Sequence, residues 1–438
     1  MLRFTRLARG TLVKLGRGPG NVTESASNAL LESLQDHGYC YIQHPFIQKS
    51  ILEQLHRDCR IFFEQYILQL RDAAAQGSLK RNNLHHYNCT PLSPYELESI
   101  KSASGFRGYY RYVGASGLDD AIDCFSVGRD DMPDPAVLRR DYYKQAGWEE
   151  SEYLSVISRR NPWDILLNHV NTPLPGVAGS PAATAALAER NDNFMSDFKD
   201  MMMAYYDLCY NVSMDVMRHI SCGLGIRPSV PQGGTDPAMD YELEYFTSFH
   251  QKRDCDLQAK YYPQLGESTR LSNGVDIKNP QSTSNPDGVK VLRRKGAKTQ
   301  PLVKGDGDPE GDGKDVTVRL DAHKDLSTIT LLSQDSLGGL EVWDEDKGAY
   351  TAVPVLEDAL LINAGLFLEK WTGGLIEATP HRVRNVREGR SRCSIVFFAL
   401  PDHDARIEPL LQQDDNPAVD AQESFLAGDM MPTPPAPS

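Results

Sequence analysis

The sequence has no closely spaced pair of cysteines, although it contains 8 cysteines in 438 residues. Structural zinc sites and compact disulfide frameworks both use short cysteine spacings such as C-x-x-C. Their absence argues against both kinds of site, and we interpret the cysteines as reduced thiols in a reducing compartment. They stand at positions 40, 59, 89, 124, 209, 222, 255 and 393.

Basic charge and long apolar runs are also scarce. The 46 Lys and Arg residues are outnumbered by 60 Asp and Glu residues, which gives a net charge of -14. Nucleic acids and anionic membranes attract basic surfaces, so neither is predicted as a partner. No run approaches the roughly 20 apolar residues of a membrane-spanning helix. The hydrophobic content of 40% nevertheless suffices for a sizeable core and predicts a soluble globular protein.

Residues 1–26 depart from this acidic composition, because the first acidic residue is Glu24. Mitochondrial presequences are rich in arginine and poor in acids. Residues 1–26 are therefore predicted to be a mitochondrial presequence or a disordered basic terminus, and the composition favours a mitochondrial over a cytoplasmic location. The basic residues are Arg3, Arg6, Arg9, Lys14 and Arg17.

Helical patterns dominate residues 27–240. The stretch ASNALLESLQDHG predicts an amphipathic helix that ends at a glycine, and YCYIQHPF predicts a strand after it. A second helical stretch follows directly, and residues 184–223 show helical spacing again. We therefore predict an α-rich region over residues 27–240.

Short β-rich runs bounded by turn residues dominate residues 241–410. No helical pattern separates most of them, which argues against a parallel βαβ sheet and favours a sandwich or barrel. The whole chain is thus predicted to be α+β. The runs are EYFTSFH, LQAKYYP, VTVRLDAH, STITLLS, LEVWD, AYTAV, ALLINAG, HRVRNV and SIVFFAL.

Two segments are too polar to predict a packed structure. Residues 264–315 are rich in Gly, Ser, Asn, Pro and Asp, and this composition predicts a mobile loop or lid. Within this insert, Asp306 begins a pattern like an EF-hand loop, but the twelfth position is Thr317 where a glutamate is needed, so we interpret it as a solvated acidic loop. The segment 411–438 is predicted to be a disordered tail.

His323 and Asp325 in DAHKD have the spacing of a metal-binding pair. Residues two apart on a strand project to the same face, so both side chains can reach one ion. His381 in TPHRVRNV lies on a later predicted strand that a β-sandwich can bring beside the first. Two histidines and one carboxylate form the face that binds Fe(II) and leaves three positions open.

Other histidines have weaker patterns. His56 and Asp58 share the H-x-D spelling but lie on a predicted helix, where side chains two apart diverge by roughly 200°. The remaining histidines belong to no such pattern and are predicted to be packed or solvated: His37, His44, His85, His86, His169, His219, His250 and His403.

Arg392 and Ser394 in SRCSIVFFAL share one face of a predicted strand. A guanidinium and a hydroxyl that point the same way can bind a carboxylate, although an edge-strand surface arginine is an alternative interpretation.

Together these residues resemble the 2-oxoglutarate and Fe(II)-dependent dioxygenases, specifically the branch similar to isopenicillin N synthase. The order His323-x-Asp325, His381, Arg392-x-Ser394 carries the resemblance. Further similar stretches are KYYP, GGLEVWD, LLINAGLFLEKWTGG, FRGYY, DAIDCFSVG and ALLESLQDHGYCYIQH, so the resemblance extends over roughly residues 27–410.

The resemblance implies a double-stranded β-helix, or jelly roll, with helices from the N-terminal half packed outside it. It implies Fe(II) ligation by His323, Asp325 and His381, and binding of 2-oxoglutarate by Arg392 and Ser394 with help from Tyr262. Dioxygen would be the other cosubstrate, and a small organic molecule would be hydroxylated or desaturated. Departures from the family pattern are Lys260 in place of an Asn, and Leu366 and Gly373 in place of an Asp and an Asn.

Three alternatives stay open. An oxidase of the same fold that uses no 2-oxoglutarate has the same Arg-x-Ser pair. A non-catalytic jelly-roll binding protein would not need three ligands at an open face. A cupin-like zinc or manganese enzyme can be distinguished only by metal analysis.

Overall fold

The computed structural model describes residues 10–67, 108–112, 122–130, 161, 163, 181–227, 242–264, 318–345, 347–385, 390–402, 404–410 and 424–430. The insert 264–315 lies outside the described residues except for its first position, as does the EF-hand-like stretch. The prediction of a lid there stays a prediction.

Eight strands form the larger sheet, in the order β1-β2-β10-β7-β12-β5-β4-β3. All neighbours described by their register are antiparallel except β1 and β2, which are parallel. Its strands are β1 (Leu12–Lys14), β2 (Tyr39–Gln43), β3 (Gly108–Tyr112), β4 (Ile122–Val127), β5 (Asp256–Tyr262), β7 (Ile329–Gln334), β10 (Leu360–Ala364) and β12 (Arg392–Ala399).

A smaller sheet has the order β6-β11-β8-β9 and is antiparallel throughout. Apolar side chains of both sheets share one buried cluster, which includes Leu332 and Val396 from the larger sheet and Val342 and Val383 from the smaller one. The two sheets therefore face each other. The strands of the smaller sheet are β6 (Val318–His323), β8 (Leu340–Asp344), β9 (Ala349–Ala352) and β11 (His381–Arg384).

Helices cover the other face of the larger sheet. Apolar residues of the helices and of β7, β10 and β12 form a second buried cluster, in which Tyr206 of the longest helix packs edge-on against Phe397 of β12. The helical spacing predicted over residues 184–223 is confirmed by that helix. The helices are α1 (Glu24–His37), α2 (Lys49–Ile61), α3 (Pro181–Gly223), α4 (Leu366–Trp371) and α5 (Ala427–Met430).

The N-terminal region is not uniformly α-rich. Strands β2, β3 and β4 lie within residues 27–240, and β2 pairs with β10 while β4 pairs with β5. The region predicted to be α-rich thus supplies three strands of the larger sheet.

Three predictions of local structure are wrong. Residues 12–14 form β1 and residues 19–21 a 3-10 turn, so this part of 1–26 is not a disordered terminus. Residues 425–426 form β14, which pairs with β13 (Arg406–Ile407), so the segment 411–438 is not wholly a disordered tail. EYFTSFH contains a 3-10 helix at Thr247–Phe249 rather than a strand, since Phe246 and Phe249 both pack against Trp371.

Among the described residues, no helix has the length and hydropathy that crossing a bilayer requires. All seven described cysteines are buried free thiols, in agreement with the interpretation of the sequence.

Candidate active site

His323, Asp325 and His381 meet at one end of the smaller sheet. His323 ends β6 and His381 begins β11, and the two are register partners across the antiparallel pair. The Nε2 atom of each histidine lies 3.5 Å from Oδ1 of Asp325. The structure therefore brings together the three residues that the sequence pattern selected.

Both histidines present Nε2 toward the carboxylate. The Nδ1 atom of His323 lies 2.8 Å from the carbonyl oxygen of Asp321, and Nδ1 of His381 lies 3.0 Å from that of Thr379. A carbonyl oxygen only accepts, so Nδ1 carries the proton and donates it. Nε2 of each ring keeps its lone pair free for a metal.

The second oxygen of Asp325 is held by two donors. Thr330 Oγ1 donates to Oδ2 at 2.8 Å, and Asn363 Nδ2 donates to the same oxygen at 2.9 Å. Thr330 and Asn363 are register partners on β7 and β10. Oδ2 is thereby occupied, and Oδ1 is left facing the two histidines.

The electrostatics favour the charge states that a metal needs. Burial, together with the neighbouring His381, lowers the pKa of His323 to about 3. Burial alone would raise the pKa of Asp325, but His381, His323 and the two hydrogen bonds outweigh it and lower the pKa to about 2. A neutral His323 beside an ionised Asp325 matches the protonation states that metal binding requires of these two ligands.

The geometry fits one metal ion. The three ligand atoms lie within 4.8 Å of one another. Metal bonds of about 2.1 Å place adjacent ligand atoms about 3 Å apart, so the observed spacing needs only a small contraction. Two nitrogens and one oxygen on one side of an ion are typical of non-haem Fe(II).

Arg392 lies buried between the two sheets, on the strand that faces the triad. Its guanidinium donates to Ser394 Oγ at 3.0 Å, to Gln334 Oε1 at 3.1 Å and to the carbonyl oxygen of Gly338. All these partners are neutral, and within the described part of the chain no carboxylate pairs with Arg392. Its positive charge is thus oriented by the protein but has no counter-ion there.

The ring of Tyr262 packs against the guanidinium of Arg392. Its ring centroid lies 4.6 Å from Arg392 Cζ, and the two residues are register partners on β5 and β12. The interpretation of Arg392 as an exposed edge residue is wrong, because β12 is an interior strand between β7 and β5 and Arg392 is only 6% exposed. Gln334 and Gly338 were missed by the sequence analysis, and no spacing motif marks them.

A cavity of about 550 Å³, counting its open mouth, joins the triad to Arg392. Apolar side chains from both sheets make most of its wall, and Val396 and Phe398 are among them. The remaining apolar residues are Leu320, Leu332, Leu340, Val342, Leu361 and Val383.

The other described histidines have packing roles. His56 lies on α2 and contacts Ser333, away from Asp58, whose carboxylate accepts from Gln54. His44, His219 and His250 are buried and hydrogen-bonded to Asp215, Ser27 and Thr328 respectively.

With this geometry established, comparison with known families is decisive. Residues 301–401, which include the triad, Arg392 and Ser394, match the model of the 2OG-Fe(II) oxygenase superfamily. This part of the chain therefore carries the oxygenase domain of that superfamily. The oxygenase family name specifies iron(II) and 2-oxoglutarate, and the His-Asp-His triad fits the iron.

Curated relatives differ in how much they share with this chain. Clavatol oxidase of Penicillium crustosum is 38% identical over 25% of this chain and 33% of its own length. A protein of Dictyostelium discoideum named as an iron/ascorbate oxidoreductase is 25% identical over 86% of this chain and 75% of its own. The 2-oxoglutarate-dependent dioxygenase gloF of Glarea lozoyensis is 25% identical, with 50% and 52% covered. The chain thus spans between a third and three quarters of these relatives.

Solved structures share the fold of this chain. A full-length Neurospora crassa protein in complex with alpha-KG and thymine superposes with a TM-score of 0.53 at 20% identity, covering 96% of this chain and 94% of that one. The complex of the same Neurospora protein with alpha-KG and 5-formyluracil gives a TM-score of 0.54. At this identity the likeness establishes the fold only.

Proposed function

We propose that this protein is a non-haem Fe(II) oxygenase that couples oxidative decarboxylation of 2-oxoglutarate to hydroxylation or desaturation of a small organic molecule. The observation that carries the proposal is one cavity with a metal-binding triad at one end and a buried, uncompensated arginine at the other. Iron(II) chelated by 2-oxoglutarate supplies the oxidising chemistry when both are bound.

The fold supports a jelly roll as the scaffold. From β6 to β12 the strands alternate between the smaller and the larger sheet, apart from the β8-β9 hairpin, which stays in the smaller one. This alternation places the ligand strands β6 and β11 side by side and sets the cosubstrate strand β12 opposite them. It supports the double-stranded β-helix that the resemblance implies.

His323, Asp325 and His381 are proposed to hold iron(II) through Nε2, Oδ1 and Nε2. Arg392 and Ser394 would bind the distal carboxylate of 2-oxoglutarate, since a guanidinium with only neutral partners gains most from an anion. Tyr262 would keep the guanidinium in plane through ring stacking. The apolar wall excludes water from the reacting atoms.

Anaerobic titration tests this proposal. Purified protein with iron(II) is titrated with 2-oxoglutarate, and the visible charge-transfer band of the chelated keto acid is followed. The band should appear in the wild type and be absent in His381→Ala. In Arg392→Ala it should require roughly a hundredfold more 2-oxoglutarate, because a charge-assisted contact is lost.

Arg406→Ala provides a matched control, because this arginine is exposed and pairs with Glu408 outside the cavity. It should titrate as the wild type does. An iron-replete protein without any band would overturn the proposal in favour of the oxidase that uses no 2-oxoglutarate or of a binding protein. Metal analysis that found only zinc or manganese retained would favour the cupin-like alternative.

A further inference from the structure

Lys260 is a second positive charge inside the same cavity. It projects from β5 into the cavity that holds the triad and Arg392. Its ammonium is neither hydrogen-bonded nor ion-paired within the part of the chain that the structure describes. Its ammonium lies 5.6 Å from the ring centroid of Phe398, and its charge also acts on His323.

The side chain of Lys260 leads away from Arg392. The backbone of Lys260 is the register partner of Ser394, while Phe398 is four residues further along β12. Arg392 and Phe398 are therefore about 20 Å apart along the strand, at about 3.4 Å per residue. The Lys260 ammonium therefore points toward the Phe398 end of the cavity, and Arg392 lies toward the other end.

Among the described residues, charge balance leaves Lys260 without an anion even when iron(II) and 2-oxoglutarate are bound. Iron(II) with the Asp325 carboxylate has one net positive charge, and Arg392 adds a second. The two carboxylates of 2-oxoglutarate balance these two charges. The Lys260 ammonium then remains unbalanced in a largely apolar cavity, where an unpaired charge is costly.

We propose that Lys260 selects the substrate class, an inference that rests on the proposed function. The enzyme acts on small monoanions: the Lys260 ammonium binds the carboxylate of the substrate, and the apolar body of the substrate packs against Phe398 and the neighbouring aliphatic wall. A lysine offers three donors and no acceptor, so it discriminates a carboxylate from its neutral amide. The net charge of -14 repels anions from the protein as a whole, which makes a local cation necessary for capturing one.

Binding measurements test the assignment without turnover. Wild-type protein is loaded with zinc(II), which is redox-inert, and with 2-oxoglutarate. Affinities are then measured by ligand-observed NMR for benzoate, phenylacetate and 4-phenylbutanoate, each beside its primary amide. At least one acid should bind about ten- to hundredfold more tightly than its amide, the range of one charge-assisted contact.

Variants of Lys260 test whether this side chain causes the preference for the acid. Lys260→Met should abolish the preference for the acid, and Lys260→Arg should retain most of it. Lys49→Met removes an equal charge from the exposed end of α2 and should change nothing. Equal affinity of the wild type for all acids and amides, including no binding of either, would overturn the assignment, as would a preference that persists in Lys260→Met.

Titration with 2-oxoglutarate tests whether Lys260 binds a carboxylate of the substrate or one of 2-oxoglutarate. The charge-transfer band of Lys260→Met with iron(II) should have a cosubstrate affinity within about twofold of the wild type. A tenfold loss would assign Lys260 to 2-oxoglutarate and overturn the substrate role. Absence of the band from the wild type would instead contradict the proposed function, so the two failures are distinguishable.

Discussion

At the residue scale, the site depends on how Asp325 divides its two oxygens. Oδ1 faces the two imidazoles, and Oδ2 accepts from Thr330 and Asn363. Ser327 contacts Thr330 Oγ1 at 2.9 Å and extends this network. Donors behind a ligating carboxylate fix its orientation and influence metal affinity strongly.

Removal of one donor should weaken the metal site. We expect Asn363→Ala and Thr330→Val each to lower metal affinity by about ten- to a hundredfold, because Oδ2 would lose an orienting bond while buried. Cobalt(II) titration followed by its visible absorption measures this directly. Asn211→Ala, on the exposed side of α3, is the control and should bind cobalt(II) normally. Wild-type affinity in both site variants would show that the network does not orient Asp325.

The triad could be predicted from the sequence, but the residues that hydrogen-bond Asp325 could not, and the reason is physical. His323 and Asp325 are two residues apart on a strand, and strand alternation alone puts them on one face. Asn363 lies 38 residues after Asp325 and meets it only because β10 pairs with β7. That pairing depends on the whole sheet, and nothing in LLINAG by itself indicates it.

At the element scale, the C-terminus of α1 is packed against the strand end that carries His381. Gly38 ends the helix with φ of 72°, a left-handed conformation that suits glycine. A Cβ built there would lie 1.7 Å from Thr379 Oγ1. The carbonyl of Thr379 accepts a hydrogen bond from His381 Nδ1. Thr379 therefore connects the C-terminal cap of α1 to a proposed metal ligand.

Gly38→Ala should therefore affect both stability and metal binding. Gly225→Ala is a matched control, because Gly225 also has positive φ, at 68°, but nothing lies within 4 Å of its added Cβ. We expect the control to lose about 1 kcal/mol in the free energy of unfolding, from backbone strain alone. Gly38→Ala should lose about 2–4 kcal/mol and bind cobalt(II) more weakly. Urea unfolding and metal titration check this, and equal losses in both variants would contradict the coupling.

Some helices and strands could be predicted from their sequence pattern, and others could not. The long helix α3 and the strands β2 and β5 to β12 follow clear periodicities, so their positions were predicted, whereas β1, β3 and β4 were not. EYFTSFH failed because its aromatic content suggests a strand, whereas the contacts of Phe246 and Phe249 with Trp371 require the three-residue period of a 3-10 turn. Burial against another element decided the conformation there, and tertiary contacts cannot be read locally.

At the scale of the whole molecule, the N-terminal segment belongs to the sheet that builds the cavity. β1 extends the larger sheet by parallel pairing with β2, and Gly18 donates its amide to Asp215 on α3. Val13 and Leu15 are both 5% exposed within the main core. Import into mitochondria stays a prediction from the basic composition, but removal of all of residues 1–26 would remove a strand.

A charge placed on the buried face of β1 should destabilise the entire molecule. Leu12 and Val13 are adjacent and point to opposite faces, with exposures of 43% and 5%. Val13→Asp would bury an unpaired carboxylate and should cost roughly 3 kcal/mol or more in the free energy of unfolding. Leu12→Asp should cost less than about 0.5 kcal/mol, since its side chain stays in water. Urea unfolding followed by circular dichroism compares them. If β1 contributed nothing to stability, both variants would unfold at the same urea concentration as the wild type. That result would support a presequence that extends to residue 26.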